Sequence, residues 1–281
     1  MSSIILQGRP GSGKTTLAAM FRKLKHPVLK KNYIPLILDL DKKARDMENL
    51  REAIKNGEIR IWTPTKPLSQ GSLAQLASNP MKNAPKQQPE GYLEIAEKID
   101  ELRDNPPDDY ELVIPILDSA TRLDAHLRWL IKYFEQRGKG QQSSAASKKN
   151  KVVAISDKLD WDGYDAILEN YTTFFGEFFD SLRSVGYPHR IVNMHVKEDE
   201  DPETHIIEQR PLLSGSFREQ IASFADEVWF CHVFLPNKNM SPEYKVITAP
   251  VTGIKHARTS RGLKVEEMAN IETLFAQRED L

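Results

Sequence analysis

The chain has 281 residues, with 39 Lys and Arg against 40 Asp and Glu, 40% hydrophobic residues, 17 prolines and one cysteine. This is enough for one large domain or two small ones with a real core. A net charge of -1 excludes a protein that holds nucleic acid or anionic membrane by bulk charge alone.

Cys231 has no cysteine partner, so neither an internal disulfide nor a cysteine-based zinc site is expected. The N-terminal residues lack a basic region, and no run approaches the roughly 18 apolar residues of a membrane span. A cytoplasmic protein without membrane contact is expected.

Residues 3–7 read as a strand, followed by a glycine-rich turn, a helix at 14–24, and strands at 34–40 and 58–62. Short apolar runs alternating with helical segments predict a parallel sheet with crossover helices. In residues 63–91, Pro64, Pro67, Pro80, Pro85 and Pro89 fall among Gln, Ser and Asn, which predicts a long excursion. A helix is expected at 92–103, with Leu93, Ala96, Ile99 and Leu102 on one face.

The run 112–117 reads as a buried strand ending at Asp118 and Ser119, although Pro115 removes a ladder hydrogen bond. A helix follows at 124–136. Residues 137–151 carry five positive charges and no acid, which predicts a mobile basic loop. Residues 161–182 have helical spacing and 190–196 form a strand, while the acidic cluster 198–203 reads as a hairpin tip before a strand at 205–209. Helix, strand and strand follow at 216–224, 227–235 and 244–248, the two strands close enough to pair. The chain closes with a basic stretch at 255–264 and an amphipathic helix at 265–277.

Gly8-Arg-Pro-Gly-Ser-Gly-Lys14-Thr15 matches G-x-x-x-x-G-K-[ST] in full, directly after a strand and before a helix, which is the setting the motif needs. The glycines let successive N–H groups turn inward toward phosphate oxygens, and the helix adds its positive end. Gly8, Pro10, Gly11, Ser12, Gly13, Lys14, Thr15 and Thr16 form the expected nucleotide-holding set. Lys14 would neutralise the β- and γ-phosphates and Thr15 would ligate Mg2+.

Asp118, at the tip of a buried strand, fits the second magnesium position, but it is also a good N-cap for the next helix. Asp39 and Asp41 share a face if their strand continues. One of them could activate water; a solvated acidic turn is the alternative.

The motif order from Gly8 to Arg258, through LILDLD, VIPILDSAT, RIVNMH and GIKHART, resembles the RecA-like ATPase domain of phage-encoded recombination and single-strand annealing proteins. The resemblance implies a single P-loop NTPase domain over 1–281, with a RecA-like, mostly parallel sheet, flanking helices and an antiparallel extension. It implies ATP and Mg2+ as ligands, hydrolysis coupled to single-stranded DNA, and a homo-oligomer in the host cytoplasm. Asp41 then matches the water activator, His195 the γ-phosphate sensor, and Lys255 with Arg258 a pair reaching the neighbouring subunit's nucleotide.

Read without the resemblance, His195 is more readily a core histidine than a sensor, and Arg258 and Arg261 are open to reading as a solvated basic face. The patches 137–151 and 255–264 could follow a DNA backbone, although both lack aromatic platforms. The other open readings are a nucleotide-dependent assembly or switch module with little hydrolysis and a small-molecule phosphotransferase.

Overall fold

The computed structural model describes residues 1–66, 90–108, 111–143, 161–236 and 241–275. Its sheet contains β1 (Ser2–Gly8), β2 (Ile34–Asp39), β3 (Arg60–Trp62), β4 (Val113–Asp118), β5 (His189–Glu200), β6 (Ile207–Pro211), β7 (Glu227–Phe234), β8 (Glu243–Ile247) and β9 (Glu266–Met268). The strand order is β3-β2-β4-β5-β1-β7-β8-β9, with β6 attached to β5. The first six in that order run parallel. The pairs β5–β6, β7–β8 and β8–β9 are antiparallel.

β1 is buried along its whole length, because helices cover both faces of the parallel part. On one face α3 (Gly91–Asp104), α4 (Ala120–Ser143) and α5 (Trp161–Gly176) pack over Ile5, Leu38, Leu117, Val192 and Met194. On the other, α1 (Lys14–Ala19), α2 (Glu48–Lys55) and the closing helix Ile271–Phe275 pack over Ile4, Leu6, Ile37, Ile116 and Ile191. Side chains alternate between faces along a strand. The second face therefore also receives Asp39 beyond Ile37, Asp118 beyond Ile116, and Asn193 and His195 beyond Ile191, with Asp41 in the turn that follows β2. This alternation gathers the polar strand ends beside α1.

The expected α/β P-loop architecture, a mostly parallel sheet with flanking helices and an antiparallel extension, is the one the chain adopts. Pro115 stands opposite Leu36 of β2, one residue before the β4–β5 ladder begins at Ile116. Its missing N–H falls where β5 is not yet paired.

Several elements differ from the sequence reading. The helix α2 was not anticipated, although its polar and apolar residues segregate onto opposite faces; it is short, and its buried residues are Leu50 and Ala53. In α3 the buried face is Tyr92, Ile95, Ile99 and Leu102 rather than one containing Leu93 and Ala96. Tyr92 packs against Phe174 at 6.1 Å between ring centroids, so the larger apolar surfaces choose the face.

The helix α4 runs from Ala120 to Ser143, so residues 137–143 continue a helix instead of forming a loop; 144–151 lie outside the described residues. Residues 266–268 form β9 rather than helix, because the free edge of β8 recruits them and Lys245 pairs with Glu266 at 3.0 Å. Helix is confined there to Ile271–Phe275. Most of the Pro-rich excursion, residues 67–89, lies outside the described residues.

Candidate functional site

The phosphate loop links β1 to α1. Gly11 and Gly13 take φ of 80 and 82°, the left-handed region that other residues enter at a cost. A Cβ on Gly8 would collide with the Cys231 carbonyl oxygen, and one on Gly13 would lie 2.8 Å from the Tyr244 ring. The loop is thus seated against β7 and β8, and glycine is needed at both contacts.

Lys14 folds into the loop, its Nζ donating to the carbonyls of Gly8 and Arg9 at 2.9 Å each and to Ser12 Oγ at 3.3 Å. Burial lowers its pKa from the usual lysine value, against the raising influence of Cys231, Asp118 and Asp41.

Thr15 Oγ1 donates to Asp118 Oδ2 at 2.6 Å, joining the loop to the tip of β4. Burial raises the Asp118 pKa, and Thr15 and Asn193 work against that rise. The helix-cap alternative falls to the neighbouring residue: Ser119 Oγ accepts the Arg122 N–H at 3.3 Å, leaving the Asp118 carboxylate facing the loop.

Asp39, opposite Asp118 in the β2–β4 register, accepts the N–H groups of Lys43 and Ala44 at 3.2 and 2.8 Å. It shapes the turn, and burial raises its pKa. Asp41 stands further into the cleft, where it accepts a hydrogen bond from Ser119 Oγ at 3.1 Å and lies 3.7 Å from His195 Nε2. Burial disfavours its charge, but the nearby His195 imidazole, the Ser119 hydrogen bond and the charge of Lys43 outweigh this, so its pKa falls below the usual carboxylate value. The backbone N–H of His195 donates to Thr121 Oγ1 of α4 at 2.9 Å, fixing the end of the buried stretch of β5.

These groups line a cleft of about 600 Å³ that also reaches Met20, Lys43, Met47, Asn49, Tyr244 and Ala269. Asn49 Nδ2 donates to Thr16 Oγ1 at 3.0 Å. The pair of a hydroxyl and a carboxylate 2.6 Å apart suits Mg2+, a hard cation that takes one or two protein oxygens and completes its shell with water and phosphate. Lys14, Asp41, Asp118 and His195 therefore converge with the loop.

Arg258 does not join them within this chain. Its backbone pairs with Val228, and its guanidinium donates to the carbonyls of Ala222 and Ala225. Val228 stands opposite Ile5, three residues and so roughly 10 Å before the loop.

Much of the second basic patch is engaged internally. Lys255 pairs with Glu208. Arg261 donates to Ser2 Oγ at 2.6 Å and stacks on Phe275 at 3.8 Å. The first patch begins 17 positions along α4 from Ala120, about 26 Å from the cleft end of that helix.

The sequence reading missed Tyr244, Lys43, Asn49 and Asn193 as site residues. Only Asn193 had a local signal, an amide inside the apolar run Ile191 to Met194.

No family model matches the sequence, and no curated protein matches it. The flagellar accessory protein FlaH from Methanocaldococcus jannaschii is similar in structure at TM-score 0.38 and 12% identity, over 94% of this chain and 83% of that one. A KaiC-like protein from Pyrococcus horikoshii OT3 is similar at TM-score 0.38 and 12% identity, over 88% of this chain and 78% of that one. Likenesses this weak carry no argument. The P-loop fold rests on the sheet order and loop geometry, and no described helix is long and apolar enough to cross a membrane.

Proposed function

We propose that this protein is a RecA-like, Mg2+-dependent ATPase whose turnover serves single-stranded DNA in recombination, annealing or replication. The observation carrying the ATPase reading is the contact of Thr15 with Asp118 at 2.6 Å, with Lys14 inside the same loop and Asp41 beside His195 on the same face of the sheet. Lys14 and the loop N–H groups bind the β- and γ-phosphates, and Thr15 with Asp118 holds the cation. When bound, the cation supplies charge neutralisation at the phosphates.

Asp41, ionised and held by Ser119, accepts a hydrogen bond from the attacking water and orients it. A carboxylate with a depressed pKa is a weak base, so orienting suits it better than abstracting a proton. His195 anchors Asp41 and senses the γ-phosphate side. The DNA partner is supported by the motif order from Gly8 to Arg258. The geometry gives Arg258 no part in this chain's own cleft.

The test is the steady-state ATPase rate with Mg2+, with and without single-stranded DNA, using Lys14→Ala as the blank. Turnover lost in Lys14→Ala and stimulated by DNA is the expected result. Turnover indifferent to DNA would remove the DNA partner, while nucleotide binding without turnover would favour a nucleotide switch. That second reading is favoured by one observation, the Asp at position 41, whose carboxylate reaches one methylene less far than a Glu would.

A further inference from the structure

Asn193 lies in the middle of the sheet and is 0% exposed. Its Cα stands opposite Asp118 of β4 on one side and Leu6 of β1 on the other. It shares the α1 face of β5 with Ile191, which is core, and with His195, which lines the cleft.

Neither its Nδ2 nor its Oδ1 makes a hydrogen bond, and the residue directly across from it in the β4–β5 register, on the same face of the sheet, is Asp118. A primary amide carries two donors and an acceptor oxygen, and leaving such a group buried and unpaired costs about 1–3 kcal/mol. Its register neighbour Leu6 and its strand neighbour Ile191 show that this layer accommodates branched apolar side chains. Leucine at 193 would avoid the cost. Buried polar groups retained against stability are concentrated where function uses them, and the cleft residue that stands opposite this one is Asp118.

We propose that Asn193 is a positioning residue for Asp118, its unpaired amide engaging the carboxylate once the cation is bound and fixing the orientation that Thr15 completes. This rests on the nucleotide-site reading above. Asn193 touches neither nucleotide nor the reacting atoms; it acts from beneath the cleft, as the outer partners of metal ligands do.

The experiment compares wild type, Asn193→Leu, Asn193→Thr and Lys14→Ala in three measurements. These are the melting temperature of the nucleotide-free protein, the affinity for a fluorescent ADP analogue in EDTA and across a Mg2+ titration, and the ATPase rate.

For Asn193→Leu the expected results are a melting temperature equal to or above wild type and unchanged affinity in EDTA. The Mg2+ concentration for half-maximal tightening should be raised about 10-fold, the low end of outer-partner losses, with turnover reduced in step. Asn193→Thr keeps one donor and should recover part of the Mg2+ response. Wild-type Mg2+ dependence in Asn193→Leu would overturn the proposal. A lower melting temperature with EDTA affinity falling alongside it would also do so, since that pattern marks a purely structural role. Failure of the parent reading is separately visible, because wild type and Lys14→Ala would then bind the analogue alike.

Discussion

Gly13 shows how one residue carries two constraints. Its φ of 82° costs an L-residue about 1–2 kcal/mol, and the Tyr244 ring closes the space a Cβ would need. Gly13→Ala should lower stability by about 1–3 kcal/mol, measured by urea unfolding. Adding Tyr244→Ala should remove the steric part and leave the backbone part.

Asp41 is the second case. Its lowered pKa keeps it ionised at neutral pH, so Asp41→Asn keeps the shape and deletes the charge. Turnover should fall about 100-fold or more while ADP affinity stays within a few-fold of wild type. An equal loss of both would show that Asp41 holds the nucleotide and does not orient water.

Among the elements, the stretch after β8 illustrates how context overrides composition. Residues 255–264 read as a basic surface, yet they lie along β7 as a strap. Glu227, 0% exposed, accepts hydrogen bonds from Trp229 Nε1 at 3.1 Å, Thr259 Oγ1 at 2.6 Å and the Ser260 N–H at 3.1 Å. Its Oε1 also lies 3.6 Å from Arg261 Nε.

Removing a buried acceptor from such a cluster leaves several donors unpaired, so Glu227→Ala should cost about 3–5 kcal/mol. The melting temperature is the direct readout. Glu227 stands opposite Ile4, well before the loop, so nucleotide affinity of the folded fraction should be unchanged. A selective loss of nucleotide binding without loss of stability would contradict this division between strap and cleft.

At the scale of the molecule, acid sensitivity follows from two buried histidines. Burial lowers His189 to about 3, helped by the charges of the N-terminus, Arg261, Arg190 and His26. It is ringed by Phe21, Tyr33 and Phe275 at centroid distances of 5.4, 5.2 and 5.4 Å. Burial also lowers His126 to about 4, helped by Arg122 and Lys42.

Below the unfolded value of about 6.5 the unfolded chain takes protons that these folded sites refuse, so stability is complete above that pH and declines as pH falls toward the folded values. Asp41 adds a loss in the same direction at lower pH, while Asp39 and Asp118, with raised values, oppose it. The melting temperature should therefore fall between pH 7 and pH 4.5. His189→Phe, which keeps the aromatic packing, should flatten the slope, the His189 share being on the order of 3 kcal/mol. An unchanged slope in that variant would exclude His189 as the source.

The phosphate loop, its flanking strand and helix, and the Asp118 tip were legible in the sequence because each depends on neighbours a few residues away: glycine conformation, the 3.6-residue repeat and an apolar run ending in a charge. So were the crossover pattern and the β7–β8 hairpin. What sequence left open was decided by long-range register. Alternation on β2, β4 and β5 put Asp39, Asp118, Asn193 and His195 on one face, the turn after β2 brought Asp41 beside them, and the free edge of β8 turned residues 266–268 from helix into strand. Tyr244 reached the loop from across the sheet, and the carbonyls of Ala222 and Ala225 held the exposed Arg258 away from the cleft, while Phe275 and Ser2 engaged Arg261. Local chemistry wrote the phosphate site into the chain; only tertiary packing, which fixes which strand lies beside which and at what register, decided the residues that surround it.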